Sequence, residues 1–433
     1  MPYVLNLAYA LALVVLSPWL LYRILTTSKY RRGLLTKLTG AVCRRAGTAR
    51  CVWFHGVSLG EIHLLRPLVA GFRLRHPDWQ CVVSTTTETG YTEARKLFSD
   101  LPVFWWPLDF SWAVRRALRR VRPDLVVLAE SELWPNFLWA AHAAGVAVAV
   151  VNGRLSPRSW HRYQRFQPLV RWLFSRVGLW AVQTTDYAAA LQSLGVPGHR
   201  IAVTGSVKYD GATFDRYNPR TLALGRLFGI SPDDLVWIAG STQAPEEEMI
   251  VHIYRSLKPA FPRLRLFLVP RQKERFDEVA ALLERLGQRF CRRSQLLGPT
   301  DAPVADLVLV DSIGELGALW GLADVAFVGG SLDGQRGGQN MIEPAAYGAA
   351  VVFGPHVWNF RETAARLLNA EAAIQVADAD ELARVVRELL ADPLRRGRLG
   401  HAARSLVQRH QGATARTLDL LDEHFVRAAS RAA

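Results

Sequence analysis

Cys51-Val52-Trp53-Phe54-His55-Gly56-Val57-Ser58-Leu59-Gly60-Glu61 is the stretch on which the fold turns. Four apolar residues run into a glycine-containing turn, and apolar residues then recur at Ile62, Leu65, Leu68, Val69 and Phe72 with helical spacing. A buried strand feeding a helix is the unit from which parallel α/β sheets are built. Ligands of open α/β sheets bind past the carboxyl ends of the strands, so Glu61, in the first turn of the predicted helix, is a candidate for catalysis. Ser58-x-x-Glu61 is also the pattern of a capping box, in which the two residues satisfy each other's free backbone donors. First-turn placement favours the ionised carboxylate through the helix dipole, which weakens it as a base unless burial pushes back. On these residues alone, both roles stand open.

Outward from this stretch the same alternation continues. Short β-branched runs at 51–54, 81–85, 125–128, 146–151, 179–183 and 201–204 are separated by helical patterns, the sign of a parallel sheet. Between 211 and 234 the pattern loosens into Asp, Pro and Gly, as in a linker with a short helix. A second series follows at 236–239, 264–269, 307–310, 325–328, 350–353 and 373–376. The simplest architecture is α/β, with two doubly wound domains facing a cleft. Polar residues collect after the first-domain strands, at Thr85 to Gly90, Glu130 to Asn136, Asn152 to Ser156 and Thr204 to Asp210. Each alone is an ordinary turn or cap, but five such segments on one rim, with that of Glu61, suggest a site.

The chain has 433 residues, which suits two α/β domains and an appendage, and its formal net charge of +15 calls for an anionic partner. Nucleic acid, an acidic membrane surface and a phosphorylated substrate all qualify. Nucleic acid is disfavoured because no aromatic-basic recognition motif accompanies the charge. Cys43, Cys51, Cys81 and Cys291 are dispersed, which argues against a zinc site or a disulfide framework and fits a reducing cytoplasm. Residues 3–25 form an almost uninterrupted apolar stretch of bilayer-spanning length, broken by Asn6, Ser17, Pro18 and Arg23. The flank carries Lys29, Arg31, Arg32, Lys37, Arg44 and Arg45, so a membrane-anchor helix with the rest of the chain on the cytoplasmic side is expected, an interfacial helix being the alternative.

In the second domain Val328-Gly329-Gly330-Ser331, a variable loop, and Gly337-Gly338-Gln339-Asn340-Met341-Ile342-Glu343-Pro344 form a strand, a glycine-rich loop and a helix start. That arrangement offers backbone N–H groups to a phosphate. The spacing is neither a dinucleotide fingerprint nor a P-loop, so NAD and ATP chemistry are unsupported. Glu343, one turn in, suits ribose hydroxyls, and the whole describes a sugar-nucleotide site.

At this point the motifs resemble those of a known family, the transferases that attach 3-deoxy-D-manno-octulosonic acid (Kdo) to lipid A. The resemblance spans the chain and rests on HGVSLGE (55–61), ESELWPN (130–136), NGRLS (152–156), TGSVKYD (204–210), VPRQKER (269–275), IGEL (313–316), FVGGS (327–331), GGQNMIEPAA (337–346) and GPHVWNF (354–360). It implies an inverting glycosyltransferase of GT-B fold: an anchor at 1–28, an acceptor-binding Rossmann-like domain at 29–212, a CMP-Kdo-binding Rossmann-like domain at 213–406, and a C-terminal helix at 407–433 packing back on the first domain. By family analogy Glu61 is the general base, and Glu130 and Lys208 stabilise the transition state. CMP contacts fall on Pro270, Arg271, Ile313, Gly314, Glu315, Asn340, Met341, Ile342 and Glu343.

The chemistry suits these residue types. A carboxylate within reach of the acceptor hydroxyl deprotonates it as it attacks, and Arg271, Lys208 and the helix start at Asn340 balance charge on the departing phosphate. These groups balance the phosphate charge without a metal, so no metal ligand and no cofactor are expected. The expected partners are CMP-Kdo and a lipid A precursor, at the cytoplasmic face of a bacterial inner membrane. Arg115, Arg116, Arg119, Arg120 and Arg122, on one predicted helix, are candidates with Arg31 and Arg32 for anionic headgroups or lipid A phosphates. Three features depart from the family pattern: Gln339 stands where His is usual, the loop Leu332 to Arg336 is slightly long and polar, and Gly56 stands where a small residue with a Cβ is common. A sugar-nucleotide epimerase or hydrolase on the same fold is the competing enzyme class. A catalytically dead membrane scaffold is disfavoured by the joint presence of Glu61, Glu130 and Lys208.

Overall fold

The computed structural model describes residues 2–26, 32–296, 298 and 304–426. Two compact units are present, one of Met1–Asp210 with Gln411–Ala433 and one of Gly211–His410.

The first unit is built on seven strands, β1 (Cys51–His55), β2 (Gln80–Thr85), β3 (Val103–Trp105), β4 (Leu125–Ala129), β5 (Ala147–Gly153), β6 (Leu179–Val182) and β7 (Ile201–Val203). They lie in the order β3-β2-β1-β4-β5-β6-β7, and every pairing is parallel. β1 and β4 are buried along their whole length, which is why these strands read as continuous apolar runs and not as alternating ones. The strand order reverses between β1 and β4, so the loops after these two strands flank the topological switch point. Glu61 follows the first and Glu130 the second.

The second unit repeats the plan with β8 (Leu235–Thr242), β9 (Leu264–Pro270), β10 (Cys291–Arg292), β11 (Leu307–Leu309), β12 (Val325–Val328), β13 (Ala350–Phe353) and β14 (Ala373–Gln375). Their order is β10-β11-β9-β8-β12-β13-β14, again all parallel, with the switch point between β8 and β12. Two strands escape the sequence pattern, β3 with three residues and β10 with two. Both are sheet edges: β3 is an aromatic run between Pro102 and Pro107, and β10 is only Cys291-Arg292.

Past Asp210 the chain enters the second unit, and from Gln411 it is part of the first again. The returning helix Ala413–Leu421 buries Leu418 and Leu421 in the same core as Ile62, Leu65 and Phe72. Gly71 makes the approach feasible, since a Cβ there would lie 2.5 Å from Leu418 Cδ1. Asp210 accepts hydrogen bonds from the backbone N–H groups of Gly412 and Thr414, and Arg75 pairs with Asp419 at 2.7 Å and Asp422 at 2.9 Å.

The anchor expected over 1–28 requires correction. Pro2–Thr26 is one helix with Pro18 inside it, but among the described residues no helix is long and apolar enough to cross a membrane. The polar interruption Asn6, and Tyr9 one turn on, are turned onto the first unit, bonding to Ser111, Asn136 and Asp109. Lys29, Arg31 and the side chain of Arg23 lie outside the described residues. The arginine run also divides. Arg120 donates to Val42 O at 2.5 Å and Arg122 to Gly47 O at 2.8 Å, so both brace the chain that leads into β1. Arg115, Arg116 and Arg119 are exposed, with Arg115 over the Trp139 ring at 5.0 Å.

Candidate active site

The helix Leu59–Arg75 starts at Ser58, whose extended backbone lets its hydroxyl face the Glu61 N–H at 3.4 Å. The Glu61 carboxylate turns back, with Oε2 accepting from Val57 N at 2.8 Å and Oε1 from Ser58 Oγ at 2.9 Å. This is a capping box displaced by one residue, and it also aims the carboxylate: each oxygen keeps a lone pair for a further donor. Glu61 is 8% exposed. Burial, opposed by these donors and reinforced by the charge of Glu130, pushes its carboxyl above the usual range. The dipole alone would have acted in the other direction, so tertiary burial decides the basicity of this group.

Glu130 adopts a left-handed backbone, φ 55°, directly after β4. Its N–H is held by Val151 O at 2.9 Å and its carboxylate pairs with Arg154 Nε at 2.7 Å. Glu132, which sequence reasoning did not single out, joins Glu61 and Glu130 electrostatically: burial and then those two charges raise its carboxyl. Its position two residues after Glu130 is the only signal that the sequence held. Asn152, also left-handed at φ 52°, accepts from Val207 N at 3.0 Å and so ties NGRLS to the 3-10 turn Val207–Tyr209 that carries the exposed Lys208. His55 is no base. It is buried, stacked on Trp106 at 3.8 Å, and burial pulls its imidazole down to about 3.

In the second unit Pro270 ends β9 and Arg271 follows it, while Ile313-Gly314-Glu315 lead into the short helix Leu316–Leu319. Asn340 bonds Glu343 at 2.9 Å through Nδ2 and caps Ile342 N at 3.0 Å through Oδ1. Burial raises the Glu343 carboxyl, against the Asn340 bond and the Arg271 charge, and Glu343 Oε2 lies 3.8 Å from where Gly317 would carry a Cβ. The three segments therefore share one neighbourhood. Ile313 is 76% exposed, whereas Met341 and Ile342 are buried, so these last two can offer backbone but not side chain. The Glu315 carboxylate is engaged by Arg293 at 2.7 Å and by Ser312.

The glycine-rich loop differs from its sequence reading. The N–H groups of Gly330, Ser331 and Leu332 are taken by the carboxylate of Glu246 at 2.7, 2.9 and 3.1 Å, with a fourth from Gln243 at 3.0 Å. FVGGS is therefore a clamped turn and not a phosphate cradle. The helix Ile342–Ala346 has five residues, too few for a substantial dipole. Glu246 escaped sequence reasoning, although the acidic run Glu246-Glu247-Glu248 at a helix start after β8 is a visible cap signal. The downstream glycines are braced by GPHVWNF, where Asn359 donates to Gly337 O at 3.0 Å and Arg336 O at 2.7 Å. Gly337 has φ 79° and a Cβ there would stand 2.3 Å from Trp358 Nε1. Gly337→Ala is expected to lower stability by about 1–2 kcal/mol through strain alone and to weaken CMP binding. Calorimetry with CMP and a melting curve read both.

Two doubly wound domains, with a buried carboxylate at one switch point and a glycine-rich turn at the other, define a GT-B enzyme architecture. The fold likeness extends to a putative UDP-N-acetylglucosamine 2-epimerase from Listeria monocytogenes, at a TM-score of 0.58 over 88% of this chain and 98% of that one, with 14% identity. The family profile described as 3-Deoxy-D-manno-octulosonic-acid transferase (kdotransferase) matches residues 29–211. The 3-deoxy-D-manno-octulosonic acid transferase of Haemophilus influenzae is 34% identical over 88% of this chain and 90% of its own length. That of Bordetella pertussis is 36% identical over 87% and 88%. The chain belongs to the Kdo transferase family and is a glycosyltransferase.

Proposed function

We propose that the protein transfers Kdo from CMP-Kdo to a lipid A precursor of the lipid IVA type, with inversion, in lipopolysaccharide synthesis. The observation that carries this reading is the Glu61 carboxylate, oriented by Val57 and Ser58 and made more basic by burial at the switch point of the first sheet. Glu61 takes the proton of the acceptor's primary hydroxyl as its oxygen attacks the anomeric carbon and CMP departs. Glu130 acts as one half of its pair with Arg154, and Lys208 supplies positive charge toward the transition state. CMP is held by Pro270, Arg271, Ile313, Gly314, Glu315 and Asn340 through Glu343. Arg271 is the cation in this set, and the neutral Gln339 leaves it a larger share of the phosphate charge.

Transfer proceeds without a metal in this reading, supported by the role of the Asp-x-Asp pair that follows β14, Asp378-Ala379-Asp380: it forms a helix start, with Asp378 accepting from Glu381 N at 2.9 Å. Turnover is expected to persist in excess EDTA. A strict requirement for added divalent cation in the same assay would overturn the point. Location at the cytoplasmic face of the inner membrane rests on the exposed apolar side chains Val4, Leu7, Leu11 and Val14 and on Arg115, Arg116 and Arg119 nearby in the same unit. A mass spectrum of the lipid product formed from CMP-Kdo tests the reaction, since each Kdo adds a fixed mass to the acceptor.

A further inference from the structure

Two helices of the first unit begin without a cap of their own. Ser111–Val121 follows Phe110 and Pro135–Ala143 follows Trp134, and neither preceding side chain can accept a hydrogen bond. Helix starts leave free N–H groups that need partners when buried. The partners come from elsewhere in the chain. Asp109, 5% exposed, accepts from Asn136 N at 3.0 Å and Phe137 N at 2.8 Å. Asn6, on the N-terminal helix, accepts from Ser111 N at 3.0 Å and donates to Ser111 Oγ at 2.7 Å. The same Asn6 Oδ1 accepts from Asn136 Nδ2 at 3.2 Å, and Tyr9 OH closes on Asp109 Oδ2 at 3.0 Å, with its ring edge-on to Phe110 at 5.9 Å. Asn6 and Tyr9, one turn apart, face the domain, while Val4, Leu7 and Leu11 on the other sides of the helix stay exposed.

The latch reaches the site through a short segment. Glu130 is fixed by its N–H to Val151 O at 2.9 Å, and five residues on, Pro135-Asn136 is fixed by Asp109 and Asn6. Glu130 and Glu132 lie between these two holds. We propose that Asn6 and Tyr9 are positioning residues for the reaction: the N-terminal helix caps the rim of the first unit from outside and thereby sets the segment that carries Glu130 and Glu132. Docking of this helix, and not merely its affinity for lipid, then controls turnover. The link to turnover rests on the function proposed above, whereas the mechanical link does not.

The full chain, in detergent, is compared with Asn6→Leu, Tyr9→Phe and the double variant, substitutions that keep the helix apolar. Hydrogen exchange of the backbone amides of residues 133, 134 and 136–138 is expected to quicken roughly tenfold in the double variant, with exchange in β12 and β13 unchanged. With CMP-Kdo and lipid A precursor, kcat is expected to fall roughly tenfold at an unchanged KM for CMP-Kdo, as expected when a remote change displaces a reacting group. Tyr9→Phe alone, which leaves the Asn6 bonds to Ser111 and Asn136 in place, is expected to show only the smaller part of both losses. Unchanged exchange would overturn the latch. Faster exchange with wild-type kcat, or a loss confined to KM for the lipid, would overturn its role in positioning and leave a simple tether. Should the unmodified chain transfer no Kdo, the proposed function fails, and the exchange measurement alone decides the latch.

Discussion

Glu61→Gln is expected to lower kcat for Kdo transfer by about 10²–10⁴-fold, the range that a positioned general base supplies, while calorimetric affinity for CMP stays within a factor of two or so, roughly 0.4 kcal/mol. Gln keeps the Oε1 acceptor for the Ser58 hydroxyl but turns its amide N–H₂ toward the Val57 N–H, so the cost in stability is about 1–2 kcal/mol. A large fall in activity at a small fall in melting temperature therefore separates proton transfer from folding. The pH profile gives a second reading. Only the ionised carboxylate accepts the proton, so activity is lost as pH falls through the pKa of Glu61, and burial places that acidic limb above the ordinary Glu range. Glu130 contributes to the rise as a like charge, so Glu130→Gln is expected to move the limb to lower pH. A rate for Glu61→Gln equal to that of the unmodified chain would remove Glu61 from the chemistry.

Glu246→Ala is expected to produce the largest loss of stability of any single change considered. The carboxylate is fully buried and accepts four backbone N–H groups, from Gln243, Gly330, Ser331 and Leu332. Removing it strands four buried donors, and even with water entering the space the net cost is about 2–4 kcal/mol. The turn after β12 and the helix start after β8 lose their common anchor at the switch point of the second sheet. CMP affinity is expected to fall with it, because Gly338 N donates to Gly330 O at 2.7 Å and so passes any displacement to the Gly337–Glu343 segment. A urea melt and CMP titration of the variant check both. Glu246→Gln, which keeps one acceptor oxygen and places an amide N–H₂ against donors, is expected to fall between the two.

Much of the strand plan was legible because buried parallel strands advertise themselves as unbroken apolar runs, as β1, β4, β12 and β13 do. β3 and β10 were not, because β3 is an aromatic run enclosed by Pro102 and Pro107 and β10 is a Cys-Arg pair with no apolar run. Of the candidate site, Glu61 could be picked out from its strand-to-helix turn, and Glu130 and Lys208 from the contiguous family motifs that carry them. Glu132 and Glu246 could not: their roles depend on charges and N–H groups brought up by other strands. The glycine-rich turn FVGGS illustrates the same limit, since its donors are visible in sequence and their occupant, more than eighty residues away, is not.

The amino-acid sequence by itself determined the two-domain α/β architecture, the family, and which carboxylate heads the first switch-point helix. These rest on hydrophobic period and on contiguous motifs, both of which are written along the chain. Tertiary structure alone decided that Glu61 is pushed toward greater basicity against its helix dipole, that FVGGS is clamped and not open, and that the apolar N-terminal run is held to the first unit by Asn6 and Tyr9. Each of these turns on burial or on a hydrogen bond between residues distant in sequence, and such partners exist only once the chain has folded.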